Sequence, residues 1–254
     1  MKALAVVFTH WASEAFMPFY EWHNERIENL RYVWDVTDHT PEEIGEVNNP
    51  NIMPMKLNNL RANLINNYYP MCLNWFQKED PDYFVLMESD LVIGTHDFIE
   101  KNIEYMEHHR IEALFPWLCS AVSNPEHPFA QSLNSVQPKL WTIPGMVIIS
   151  KKALDIYGQT LRHSPMYWCE IRFPSELAKY SVIVGSSPYS SDVSIHCGHG
   201  NGEERKNWSL PDEEIENSVN LGLEAFHPIK TAERLDFIKE KLDEKNTLKE
   251  TVSK

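Results

Sequence analysis

The sequence predicts an α/β fold: a single mixed, mostly parallel sheet flanked by helices, with a helical extension at the C-terminus. Three observations carry this. Apolar runs such as Leu4-Ala5-Val6-Val7-Phe8 and Tyr83-Phe84-Val85-Leu86-Met87 are continuous rather than alternating, the pattern of strands buried on both faces. Segments with apolar residues at helical spacing stand between such runs, so strand and helix alternate along the chain. Beyond residue 211 the chain becomes charged and keeps only the helical pattern.

Residues 3–9 read as the first strand, ending in Thr9-His10. Residues 13–30 are helix-compatible, and Pro18 predicts a helix start near itself, because proline suits a first turn. Arg31 to Val36 is a second β-rich run. Residues 37–54, punctuated by Pro41, Gly45, Asn48-Asn49-Pro50 and Pro54, read as a loop with at most one helical turn. Leu57, Leu60, Leu64, Ile65, Tyr68, Met71, Cys72, Trp75 and Phe76 recur at helical spacing, with Pro70 kinking or dividing the segment. Asp80-Pro81-Asp82 turns the chain into a strand at 83–87. Thr95-His96-Asp97 opens a helix over 98–109, and residues 112–117 form another strand. The stretch 123–138, rich in Pro, Ser, Asn and Gln, reads as a long loop. A single strand is expected over 141–150, a helix from 151 to 160, a helix over 170–180 and a short strand at 181–184. Residues 186–209 are small, polar and Gly-rich. The organisation expected is one catalytic-type domain over 1–210, with 211–254 packed on it as a charged helical extension.

Composition narrows the function. The chain has 254 residues, with 37 acids against 23 Lys and Arg, a formal net charge of −14. A general nucleic-acid binder needs a basic face and is not expected. A phosphate-bearing small molecule remains compatible where a metal or local bases offset the field. No apolar run approaches the ~20 residues of a membrane span, so no transmembrane segment is expected. The first ten residues turn polar too quickly for a secretory signal. Cys72, Cys119, Cys169 and Cys197 form no CxxC pair, which fits a reduced, cytoplasmic protein without structural zinc.

The feature richest in chemistry is Glu88-Ser89-Asp90, delivered by the apolar run 83–87. In open α/β sheets ligands gather at the carboxyl ends of strands, and two carboxylates there can hold a hard divalent ion against substrate phosphates. An ordinary solvated turn is the competing reading. Together with the upstream helix carrying Asn58 and Arg61-Ala62-Asn63, the segment Asp82 to Asp90 resembles the nucleotide-sugar glycosyltransferases of the GT-A fold. The resemblance implies a Rossmann-like sheet, a nucleotide-sugar donor and Mn²⁺ or Mg²⁺ held by the acid-x-acid motif. Asp90 would be the direct ligand, with Glu88 standing where the family usually has Asp. Thr9, His10, Arg61, Ser89 and Asp35 would line the donor pocket, Asp35 on the base or ribose. A strand-end turn is the alternative role for Asp35.

Further matches follow in family order over residues 3–200. Trp141 to Ser150, with Pro144-Gly145, resembles the segment beside the acceptor site. Tyr167 to Leu177 resembles the helix start that supplies the catalytic base in inverting members. This implies Glu170 as general base, although Ile171 follows where the family often has Asp. His199, between Gly198 and Gly200, would complete the metal shell, or else lie in an exposed turn. His227-Pro228-Ile229-Lys230 resembles an element in which a basic group, here Lys230, meets the diphosphate. Trp117, Trp141 and Trp168, with Gly145, would face a glycan-type acceptor, and core packing is the alternative for each tryptophan. The expectation is an inverting, metal-assisted glycosyltransferase acting on an acceptor hydroxyl. A non-catalytic nucleotide- or sugar-binding protein is one alternative. A nucleotidyltransferase on a similar sheet is another, but it would want a Gly- and Lys-rich phosphate loop, and residues 8–25 contain neither residue.

Overall fold

The computed structural model describes residues 2–56, 78–120, 140–142, 145–161, 174–175, 177–191, 193–195 and 208–252. Its centre is a seven-stranded sheet built from β1 (Ala3–Thr9), β2 (Leu30–Asp35), β3 (Ile52–Met55), β4 (Tyr83–Glu88), β6 (Ala113–Phe115), β9 (Met146–Ser150) and β10 (Val184–Ser186), in the order β10-β6-β9-β4-β1-β2-β3. β9 alone runs against its neighbours, pairing antiparallel with β4 and β6, while the other pairings are parallel. This is the mixed, mostly parallel sheet expected, flanked by helices.

The continuous apolar runs are explained by two cores. In β1, Ala5 and Val7 belong to one cluster and Leu4, Val6 and Phe8 to the other. β4 divides in the same way, Val85 and Met87 against Phe84 and Leu86, and so does β9. Side chains alternate across a strand, so a strand covered on both faces needs apolar residues at every position. Full burial of each such side chain contributes about 1.5–3 kcal/mol before entropy is counted.

Several elements depart from expectation. Helix α1 spans Ser13–Arg26 and contains Pro18, instead of starting there. Phe16 and Phe19 are fully buried on either side of the proline and pack into different clusters, which holds the helix through it. The hydrogen bond Pro18 cannot make would have gone to the carbonyl of Glu14, an exposed residue. The 37–54 loop contains α2 (Pro41–Glu46), closed by a capping box in which Thr40 Oγ1 accepts from Glu43 N and Glu43 Oε2 accepts from Thr40 N. It also contains most of β3, whose Pro54 is tolerated because β3 is an edge strand. The run 141–150 is two strands: β8 (Leu140–Thr142) pairs with β7 (Leu118–Ser120) in a separate ribbon, and β9 joins the main sheet. β10 starts later than expected, after Ser181 turns the chain at φ 64°. Helices α3 (Phe98–His109) and α4 (Lys151–Leu161) fall where the sequence places them. The helical segment 57–76 and the loop 123–138 lie outside the described residues.

The C-terminal part is α5 (Asp212–Asn220), β11 (Ala225–Phe226) and α6 (Ala232–Val252). β11 pairs antiparallel with β5 (Val92–Ile93), just beyond the acidic turn. A third core joins Phe19 and Trp22 of α1 and Val92 of β5 to Ile215, Val219, Phe226, Ile229, Leu235 and Ile238. Among the described residues, no helix is long and apolar enough to cross a membrane.

Candidate active site

The parallel strands β1, β2, β4 and β6 all end on one edge of the sheet, and the antiparallel β9 begins there. That edge therefore collects Thr9 and His10, Asp35, Glu88-Ser89-Asp90, Trp117 and Gly145, drawn from five strand ends. Phe8, Thr9, His10, Trp11, Glu88, Ser89, Asp90 and Lys230 line a cavity of about 110 Å³ there. Six of these eight were expected from the sequence to bind the donor.

The acidic turn is held by backbone hydrogen bonds on several sides. Glu88 N donates to Gly145 O (2.8 Å), Ser89 N to Phe8 O (3.0 Å), and Leu91 N to Glu88 O (3.2 Å). Ile229 N donates to Asp90 O (2.9 Å), so the strap after β11 crosses the turn. His227 N donates to Ser194 O (2.9 Å), and the His227–Pro228 peptide is cis.

This strap brings two cationic side chains to the two acids. His227 Nε2 lies 3.5 Å from Glu88 Oε2 and 3.5 Å from Asp90 Oδ1, and Lys230 Nζ donates to Asp90 Oδ2. Burial alone would push the Asp90 carboxyl up, but Lys230 and His227 overcome it and hold the group well below the usual carboxylate range. Burial would likewise lower the His227 imidazole, yet Asp90 and then Glu88 raise it to about 9. In this form the two negative and two positive charges balance.

Glu88, Asp90 and His227 each offer one ligand atom, all within 4.8 Å of one another. Ligand atoms on opposite sides of an ion bonded at about 2.2 Å stand ~4.4 Å apart, so the trio fits a divalent cation with little movement. The carboxylates suit Mg²⁺ or Mn²⁺, and the imidazole favours the transition ion. His227 was visible in the sequence as part of the His-Pro-x-Lys element. Its place in the trio depends on β11, a two-residue strand with no periodicity to reveal it.

The other expected residues fall as follows. Asp35 ends β2, and its Oδ1 accepts from Thr37 N (3.0 Å) and Thr37 Oγ1 (2.5 Å), so the carboxylate caps its own turn at the rim of the site. Gly145 lies behind the site: a Cβ there would stand 2.6 Å from Leu91 Cδ1 and 3.2 Å from His227 Cδ2. Trp117 is half-buried, packed against a core cluster, and its carbonyl accepts from Thr142 Oγ1 (2.6 Å). Trp141 pairs through its backbone with Cys119 in the β7–β8 ribbon. Arg61, Trp168, Glu170 and His199 lie outside the described residues.

No protein-family model matches the sequence, and no curated protein matches it. Solved structures do align with it. One is a CMP:2-keto-3-deoxy-manno-octonic acid synthetase complexed with CTP, at 10% identity over 75% of this chain and 91% of that one, with a TM-score of 0.45. The bifunctional IspDF of Campylobacter jejuni aligns at 7% identity over 85% of this chain and 54% of its own, with a TM-score of 0.46. The mannosyltransferase PcManGT of Pyrobaculum calidifontis, in complex with GDP-Man and Mn²⁺, aligns at 12% identity over 74% of this chain and 55% of its own, also at 0.46. The chain thus spans about half the length of the last two. At these identities and scores, none of the three assigns an activity to this chain.

Proposed function

We propose that this chain is a metal-assisted glycosyltransferase that takes a sugar from a nucleotide-sugar donor and passes it, with inversion, to a hydroxyl of a glycan-type acceptor. The observation that carries this reading is the convergence of Glu88, Asp90 and His227 within 4.8 Å at the sheet edge, beside a cleft walled by the end of β1. Asp90, Glu88 and His227 would hold Mn²⁺ or Mg²⁺. When bound, such an ion supplies Lewis-acid stabilisation of the departing nucleoside diphosphate.

The chain's own residues do the rest. Lys230, in the same cleft, contributes a positive charge for the diphosphate oxygens. Thr9, His10 and Trp11 wall the nucleotide side, with Asp35 at the rim and Arg61 assigned to the donor by resemblance. By the same resemblance, Glu170 takes the proton from the acceptor hydroxyl, Trp117, Trp141 and Trp168 are assigned to the acceptor, and His199 is a further candidate ligand. Placing base and leaving-group stabiliser on opposite sides of the anomeric carbon is what a single displacement requires.

The test is which phosphate product leaves. The protein is incubated with Mn²⁺ and a panel of nucleotide sugars, and nucleoside diphosphate release is measured for wild type and Asp90→Ala. Release that requires both Mn²⁺ and Asp90 supports the reading. Pyrophosphate released from nucleoside triphosphates and a sugar phosphate would replace it with a nucleotidyltransferase.

A further inference from the structure

Beneath the acidic turn lies a buried polar pair that the reading above leaves unused. His23, on α1, is 0% exposed, and so is Tyr32, on β2. His23 Nε2 lies 2.9 Å from the carbonyl oxygen of Leu91, the residue after Asp90, and His23 Nδ1 lies 3.1 Å from the Tyr32 hydroxyl. A carbonyl only accepts, so Nε2 carries the ring proton and Nδ1 accepts from the tyrosine. Burial lowers the imidazole to about 4, which keeps it neutral and the tautomer single at neutral pH.

We propose that His23 is a positioning residue for the metal-binding turn: it ties the Leu91 carbonyl to α1 and β2 and so fixes where Asp90 presents its carboxylate. The proposal rests on the metal reading of the site. Leu91 N already closes the turn onto Glu88 O, and Ile229 N holds the Asp90 carbonyl. His23 secures the segment from the core side, and does so with a side chain. If packing were the only requirement, an apolar residue would serve better in this fully buried position beside Tyr32, since burying an imidazole costs desolvation that only its hydrogen bonds offset. The two bonds also fix the ring's orientation and its tautomer.

The test measures Mn²⁺ affinity, by the electron paramagnetic resonance signal of free Mn²⁺, in wild type, His23→Leu, His23→Gln and Tyr32→Phe, each far below its melting transition. His23→Leu removes both bonds and should weaken Mn²⁺ binding by about tenfold or more, the range for an outer partner of a metal site. His23→Gln keeps a donor for the Leu91 carbonyl and should recover most of that loss. Tyr32→Phe should lose a smaller factor in the same direction. A folded His23→Leu that binds Mn²⁺ within twofold of wild type overturns the proposal. If His23→Leu does not fold, Tyr32→Phe decides, and a folded Tyr32→Phe within twofold of wild type overturns it. Wild-type protein that takes up no Mn²⁺ overturns the metal reading itself, and this proposal with it.

Discussion

His227 Nε2 lies 3.5 Å from Asp90 Oδ1, joining the strap after β11 to the turn after β4. The imidazole is nearly buried and faces two carboxylates, so a positive charge in that position is favoured from both. A proton and a divalent cation are therefore alternative occupants of one electrostatic site, and the predictions begin there.

Asp90 is the residue on which the site turns. Asp90→Asn keeps the shape but removes the charge that both Lys230 and His227 face. We expect Mn²⁺ affinity to fall by more than ~100-fold, beyond the usual effect of an outer-shell partner. Calorimetric titration of the two proteins with Mn²⁺ checks this, and equal affinities would remove Asp90 as a ligand.

The proton on His227 sets a pH dependence. Its pKa is raised from 6.5 to about 9 in the folded chain, so its contribution to stability is complete below pH 6.5 and disappears as pH rises through about 9. Mn²⁺ needs the neutral ring, so binding releases a proton, and affinity should climb about tenfold per pH unit from 7 toward 9 before levelling. Affinities measured at several pH values decide this; a flat profile would mean that His227 is not a ligand.

Gly145 is expected to tolerate little. In Gly145→Ala the Leu91 methyl can turn away, but the His227 ring, 3.2 Å from the new Cβ, must give by a few tenths of an ångström. Overpacking of this kind costs about 1–3 kcal/mol. We expect a lower melting temperature together with weaker Mn²⁺ binding; a variant that melts lower and binds normally would separate packing from the site.

Glu170→Gln separates an enzyme from a binding module. As general base, Glu170 should carry at least about a hundredfold of turnover, and donor affinity should stay unchanged. As a helix-start acid it would contribute about 0.3–1 kcal/mol of stability and nothing kinetic. Transfer rate and melting transition, measured on the same variant, distinguish the two.

The central sheet was legible because β1, β4 and β9 are covered on both faces, so their inner residues are apolar at consecutive positions. The acidic turn was legible because it directly follows one of those strands. Pro18 misled because sequence rules weigh the local hydrogen bond, whereas burial of Phe16 and Phe19 outweighs it. Pro54 hid β3 because nothing local marks an edge. His227 as a candidate ligand and His23 as an anchor were hidden for a related reason. Each is defined by partners far along the chain: His23 lies 68 positions from Leu91. Lone histidines carry no periodicity that could reveal such partners.

The separation of Lys230 from Asp90, 140 positions, also has a meaning in time. At the usual speed of ribosomal synthesis, about 5–20 residues per second, roughly 7–28 s pass between the making of the acids and the making of their cationic partner. Through that interval Glu88 and Asp90 lie close together without Lys230 or His227, and their mutual repulsion works against closing the turn. The acidic turn is thus made before the strap that neutralises it, and ion capture waits on the synthesis of His227 and Lys230.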